Sequence, residues 1–176
     1  MPNSLLKGKD ITWDNQQVIV SKTDLKGRIT YANRVFMKIT GYHEEDLIGT
    51  QHNIIRHPLM PRGVFKYMWE QLKKGDEFFA FVVNSTAHND HYWVFAHITP
   101  TKDVRGKVNG YYSVRRVMPK ALKQTFIDLY SLLLATETGL NEKQATQASY
   151  DAFVNYLAEN KIDYNLFIRQ LYLEHA

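Results

Sequence analysis

The chain has 176 residues, 44% of them hydrophobic and none of them cysteine: enough for one domain with a core plus a further helical piece, too apolar for a disordered chain, and unable to form disulfides or thiolate-held metal and iron–sulfur sites. The formal net charge of +4 is uneven, with 17 Lys and Arg against 11 Asp and Glu in residues 1–119 and 5 against 7 in residues 120–176. The basic residues are scattered, which reads as a solvated surface and not as a nucleic-acid face.

In chain order, residues 18–20 and 29–31 are short apolar strands joined by Thr23-Asp-Leu-Lys-Gly27, where Gly27 supplies the turn of a hairpin. Ala32-Asn33 opens a helix over 34–40 that Gly41 stops, and a second short helix fills 42–49. The stretch His52-Asn-Ile-Ile-Arg-His-Pro-Leu-Met-Pro61 is too polar and too punctuated for a regular helix or strand. Pro61 suits the start of a helix. Phe65, Met68, Trp69 and Leu72 then recur at i, i+3, i+4 and i+7, predicting an apolar helix face that ends at Gly75. Three strands follow at 78–85, 91–99 and 110–117. In the second, alternation puts Trp93, Phe95 and His97 on one face and Tyr92, Val94, Ala96 and Ile98 on the other, without saying which face carries a ligand.

Pro119 ends the strand pattern. Leu122, Phe126, Leu129, Leu133 and Leu134 trace one side of a helix reaching Gly139, Asn141 can cap a second helix and Asp163 a third. This divides the chain into an N-terminal extension (1–17), a domain (18–118) and a C-terminal helical segment (119–176). The last is too small for a core of its own, so it is expected to pack on the sheet or on a partner. With no run of about 20 apolar residues and no signal-like start, neither membrane insertion nor secretion is expected, and the chain is assigned to the cytoplasm.

Candidate ligand contacts fall into three kinds. Trp69, Trp93, Tyr92, Phe78 and Phe81 offer aromatic walls; Asn33, Asn53 and Asn84 offer amides; Arg56, His52 and His57 offer cations or donors. Each has an ordinary alternative. Trp69 and Trp93 suit a core, Asn33 suits a helix cap, and Arg56 and His57 can satisfy local backbone. The remaining histidines show no metal spacing, and no catalytic set or Gly-rich phosphate loop is present, so no enzyme activity is expected.

Taken together, Asp24-Leu-Lys-Gly-Arg-Ile-Thr-Tyr-Ala-Asn33, the run from Asn53 to Pro61, Trp69 eight residues later and Tyr92-Trp93-Val94 resemble the flavin-binding PAS domain of bacterial aerotaxis receptors. The small stand-alone PAS proteins of bipartite energy-taxis systems are the nearest type. The resemblance covers roughly residues 12–120. It implies an α+β PAS fold: a five-stranded antiparallel sheet with short helices on one face, and here a C-terminal helical appendage. It implies noncovalent FAD, held by residues matching Asn33, His52, Asn53, Arg56, His57, Trp69, Phe78, Asn84, Tyr92 and Trp93, with Arg56 favoured for a phosphate or the ring edge. The lack of cysteine excludes a cysteinyl–flavin adduct. It further implies a redox or energy sensor that signals to another protein, such as a membrane-bound taxis receptor, with a homodimer also allowed. The family's aspartate, tryptophan, glycine and basic residue are replaced here by Leu59, Phe78, Ala80 and Val83. That more apolar set favours a second reading, an interaction adaptor with an empty or degenerate pocket; a small flavin reductase is a third.

Overall fold

The structure, a computed structural model, describes residues 5–176. Strands β1 (Ile19–Thr23), β2 (Ile29–Ala32), β3 (Phe78–Ser85), β4 (His91–Lys102) and β5 (Val108–Val117) form one antiparallel sheet in the order β2-β1-β5-β4-β3. The β1–β2 turn is short because Gly27 adopts φ +77°, a conformation that side chains resist, and because Asp24 Oδ1 accepts the N–H groups of Lys26 and Arg28 at 2.8 and 2.9 Å.

Three helices lie over the inner face: α1 (Arg34–Thr40), α2 (Glu44–Leu47) and α3 (Arg62–Lys74). Asn33 caps α1 by accepting the N–H of Phe36, and it also ties β1 through Val20 N–H and the Val18 carbonyl. The irregular stretch expected from the sequence is a strap. At one end the N–H groups of Gly49 and His52 donate to Ile29 and Gly27 beside β2, and Gln51 bridges Arg28. At the other end Arg56 bridges Asn84 of β3, with one 3-10 turn (His52–Ile55) between. As β2 and β3 are the two outermost strands, the strap spans the sheet from edge to edge.

The C-terminal helices are α4 (Lys123–Ala135), α5 (Glu142–Glu159) and α6 (Tyr164–His175). α4 and α6 cover the outer face of β3 and β4. Phe126 packs on Phe81 with centroids 4.8 Å apart, the Tyr130 hydroxyl donates to the Phe81 carbonyl, and Tyr172 stacks on Phe95 at 4.0 Å. α5 instead seats on α3. Gly63 meets it with no room for a side chain: an added Cβ would lie 2.1 Å from Tyr150 N. Pro61 gives α3 no side-chain cap, and residues of the helical segment supply one. Glu137 Oε1 accepts the Arg62 N–H at 2.7 Å and Ser149 Oγ the Gly63 N–H at 2.8 Å. The short helices α1 to α3 thus lie on one face of the sheet, as expected, and the C-terminal segment packs against the other face and on α3. Phe126, Phe153 and Ile168 join Met68, Phe81 and Trp93 in one continuous hydrophobic cluster. Burying each such side chain contributes roughly 1.5–3 kcal/mol. Among the described residues, no helix is long and apolar enough to cross a membrane.

Candidate functional site

Between the inner sheet face and the roof of strap and α3 lies a cavity of about 480 Å³, within the usual ~300–1,000 Å³ of small-molecule sites. Met60, Val64, Met68 and Leu72 form its apolar roof, and Phe78, Ala80, Val82, Ala96 and Ile98 its floor. Trp69 stands edge-on to Tyr111, centroids 5.3 Å apart, and both border the space. Among the described residues, four cationic side chains line the cavity, Lys26, Arg56, Lys73 and Arg115, and no carboxylate does.

The inner polar end is built on β5 and β1. Arg115 is 5% exposed and has no ion pair among the described residues. Its two terminal nitrogens donate to Ser21 Oγ at 3.2 Å each, and one also donates to His52 Nε2 at 2.7 Å. Because a guanidinium only donates, Nε2 of His52 accepts and the ring proton sits on Nδ1. Burial first, and the Arg115 charge second, push His52 down to about 3, so this imidazole is neutral. Burial lowers Arg115 to about 10, which leaves it charged at neutral pH. An unpaired buried cation is costly unless a ligand shares its surroundings. Two more groups point the same way: Asn84 Nδ2 and Ser113 Oγ, on cavity-lining residues, are buried without a hydrogen-bond partner.

Comparison with known proteins fits this geometry. Residues 29–115 match the family model described as PAS fold. Residues 29–115 adopt the PAS fold. The chain is 45% identical over 98 residues to the aerotaxis receptor of Escherichia coli (strain K12), covering 55% of this chain and 19% of that protein. It is 27% identical over 103 residues to the nitrogen fixation regulatory protein of Klebsiella pneumoniae, covering 58% of this chain and 21% of that one. The chain thus spans about a fifth of the length of these curated relatives. Among solved structures, a light-oxygen-voltage domain studied with a flavin analogue superposes with a TM-score of 0.58 at 18% identity, covering 66% of this chain and 89% of that one. The aureochrome1 light-oxygen-voltage domain in its dark state gives 0.56 at 21% identity, covering 67% and 87%. These two likenesses show the fold.

Six of the residues singled out from sequence border the cavity: His52, Asn53, Arg56, Trp69, Phe78 and Asn84. Arg56 gives one N–H to the Met60 carbonyl at 3.2 Å and lies over the Phe65 ring. Five do not border it. Trp93 lies on the outer face, stacked beside Tyr130 of α4, because Val83 is its cross-strand partner and both point away from the inner face. Phe81 points outward with it. Tyr92 is on the inner face but sits in the second hydrophobic cluster, edge-on to Trp13, with an unpartnered hydroxyl. Asn33 has its amide committed to the α1 cap and β1. His57 turns toward His91, with ring centroids 5.9 Å apart, and accepts the Leu59 N–H. Burial and His91 lower it to about 4. The sequence reading missed Arg115, Ser113, Ser21 and Tyr111. A signal was present: in Tyr111-Tyr-Ser-Val-Arg115 a central strand carries a serine and an arginine two apart, hence on one face.

Proposed function

We propose that this chain is a PAS redox sensor that binds FAD noncovalently in the inner cavity and passes its state to another protein, with a membrane-bound taxis receptor as the partner class. The observation that carries the reading is the lining: apolar walls, four cations, no carboxylate, and unpartnered polar atoms around a buried Arg115. A flavin dinucleotide needs flat apolar walls, donors for an acceptor-rich ring edge, and cations for a pyrophosphate. Trp69, Met68, Phe78 and Ile98 would supply the walls, and Asn84, Ser113 and Arg115 the donors. The 45% identity to an aerotaxis receptor and the likeness to a light-oxygen-voltage domain studied with a flavin analogue support the same ligand class.

A bound flavin supplies reversible electron uptake, with a change of charge and protonation on its ring. Arg115 would hold the edge that becomes electron-rich, and neutral His52 and Ser21 keep its guanidinium aimed. Asn84 shares a backbone bridge with Arg56 and lies in β3, whose outer face carries α4. A rearranged Asn84 amide would therefore bias both the strap and the helical segment, which gives a route to a partner. The degenerate-pocket reading loses ground. Of the four apolar replacements only Phe78 and Ala80 border the cavity, while Leu59 and Val83 are buried elsewhere.

Amide hydrogen exchange of the purified protein before and after anaerobic dithionite reduction tests this function. Changed protection in the strap, β3 and α4 is expected. Identical exchange in both states would overturn redox reporting.

A further inference from the structure

The exposed residues of the cavity lining are Leu25 and Lys26 in the β1–β2 turn, Asn53 of the strap and Lys73 of α3, so the cavity meets solvent between that turn and the second half of α3. Gly27 of that turn lies against Trp69, where an added Cβ would meet the indole at 3.6 Å. Lys26 precedes Gly27, and Lys73 follows Trp69 by one helical turn, on the same side of α3. Both lysines border the cavity and are exposed. They therefore border the cavity from two different elements, the β1–β2 turn and α3. Neither forms an ion pair among the described residues. The turn is braced by Asp24 through backbone N–H groups alone, so Lys26 is presented on a fixed base with its ammonium uncommitted. Two like charges at one opening repel each other unless an anion sits between them. The cavity that the lysines border carries its own mark of a ligand: Asn84 Nδ2, on a residue 5% exposed, is buried at the cavity wall without a hydrogen-bond partner.

We propose that Lys26 and Lys73 form a two-point clamp for the phosphate arm of the ligand whose ring fills the cavity; this rests on the flavin reading above. A space of about 480 Å³ encloses the tricyclic ring and its ribityl chain and leaves the phosphates at the opening. Arg56 is tied to Met60 and Phe65, so it stays in the wall and the two lysines make the mobile contacts. The clamp makes affinity depend on phosphorylation and on salt.

The test is a fluorescence titration of flavin-stripped protein with riboflavin, FMN and FAD, at low and high salt. It uses the wild type, the K26Q/K73Q double variant and the K26R/K73R double variant. FMN and FAD should bind the wild type roughly tenfold or more tighter than riboflavin at low salt, with the gap shrinking at high salt. The glutamine pair should lose that gap while keeping riboflavin affinity, and the arginine pair should restore it. If all three ligands bind and the glutamine pair matches the wild type, the clamp is wrong and the flavin reading stands. If none of the three binds and the protein purifies colourless, the flavin reading itself fails and the clamp with it. A second measurement avoids stripping. Copurified flavin should leave the glutamine pair faster than the wild type on dilution, and equal rates would count against the clamp.

Discussion

A guanidinium on the central strand β5, 5% exposed and without a carboxylate, is tolerable when an electron-rich group shares its surroundings. Arg115→Met keeps much of the volume and removes the charge. It should lower flavin retention while leaving the ligand-free fold as stable as the wild type or more so, because a buried charge has been removed. Retention assays paired with thermal unfolding check this, and undiminished retention would contradict the role given to Arg115. Histidines set a second residue-scale expectation. His52 and His57 fall to about 3 and about 4 on folding from an ordinary 6.5. Between those values and 6.5 the unfolded chain binds more protons than the native one, so stability rises with pH across that window. It is fully present above 6.5 and is lost as pH drops toward 4. Thermal midpoints measured from pH 7.5 down to 5 should fall, and His52→Gln should flatten the slope. A wild type with no slope would refute the neutral buried imidazoles.

Among the elements, α3 carries the coupling, since its one side roofs the cavity and its other side seats α5. Gly63 sits at the closest approach, and its replacement by alanine would put a methyl into the Tyr150 backbone. Gly63→Ala should cost ~1–3 kcal/mol by overpacking and loosen α5 more than the sheet. Amide exchange localised to α5 would show this, and an unperturbed α5 would contradict the seating. The α3–α5 seat was not legible in the sequence: Gly63 and Ser149 meet only through tertiary packing. Helix caps were legible, because Asn33, Asn141 and Asp163 act through their own side chains on N–H groups three residues on. Half of the strand information was legible as well. Alternation placed Trp93 opposite Tyr92, but parity does not choose the face. Only the roof over Ala80, Ala96 and Ser113 shows that Trp93 belongs to the far side. The motif around His52 and Arg56 pointed to the site because its residues are contiguous. Arg115 escaped notice because its partners Ser21 and His52 lie 94 and 63 residues away.

On the scale of the whole molecule, the sheet has the cavity on one side and the C-terminal helices α4 and α6 on the other, and the C-terminal helical segment touches both the outer face and the cavity roof. Removing residues 120–176 would uncover Phe81, Trp93 and Phe95 and would uncap α3. The shortened protein should aggregate or melt at lower temperature. A gentler variant, Phe126→Ala, should cost ~3–5 kcal/mol without changing the sheet. A truncated protein as stable and as monodisperse as the full chain would make the helical segment a passive appendage. The central claim is that the inner cavity holds FAD, and it is tested most directly by denaturing the purified protein and identifying the released compound by chromatography and mass. The account predicts FAD, stoichiometric with the chain in a fully loaded preparation; FMN, haem or no chromophore would contradict it.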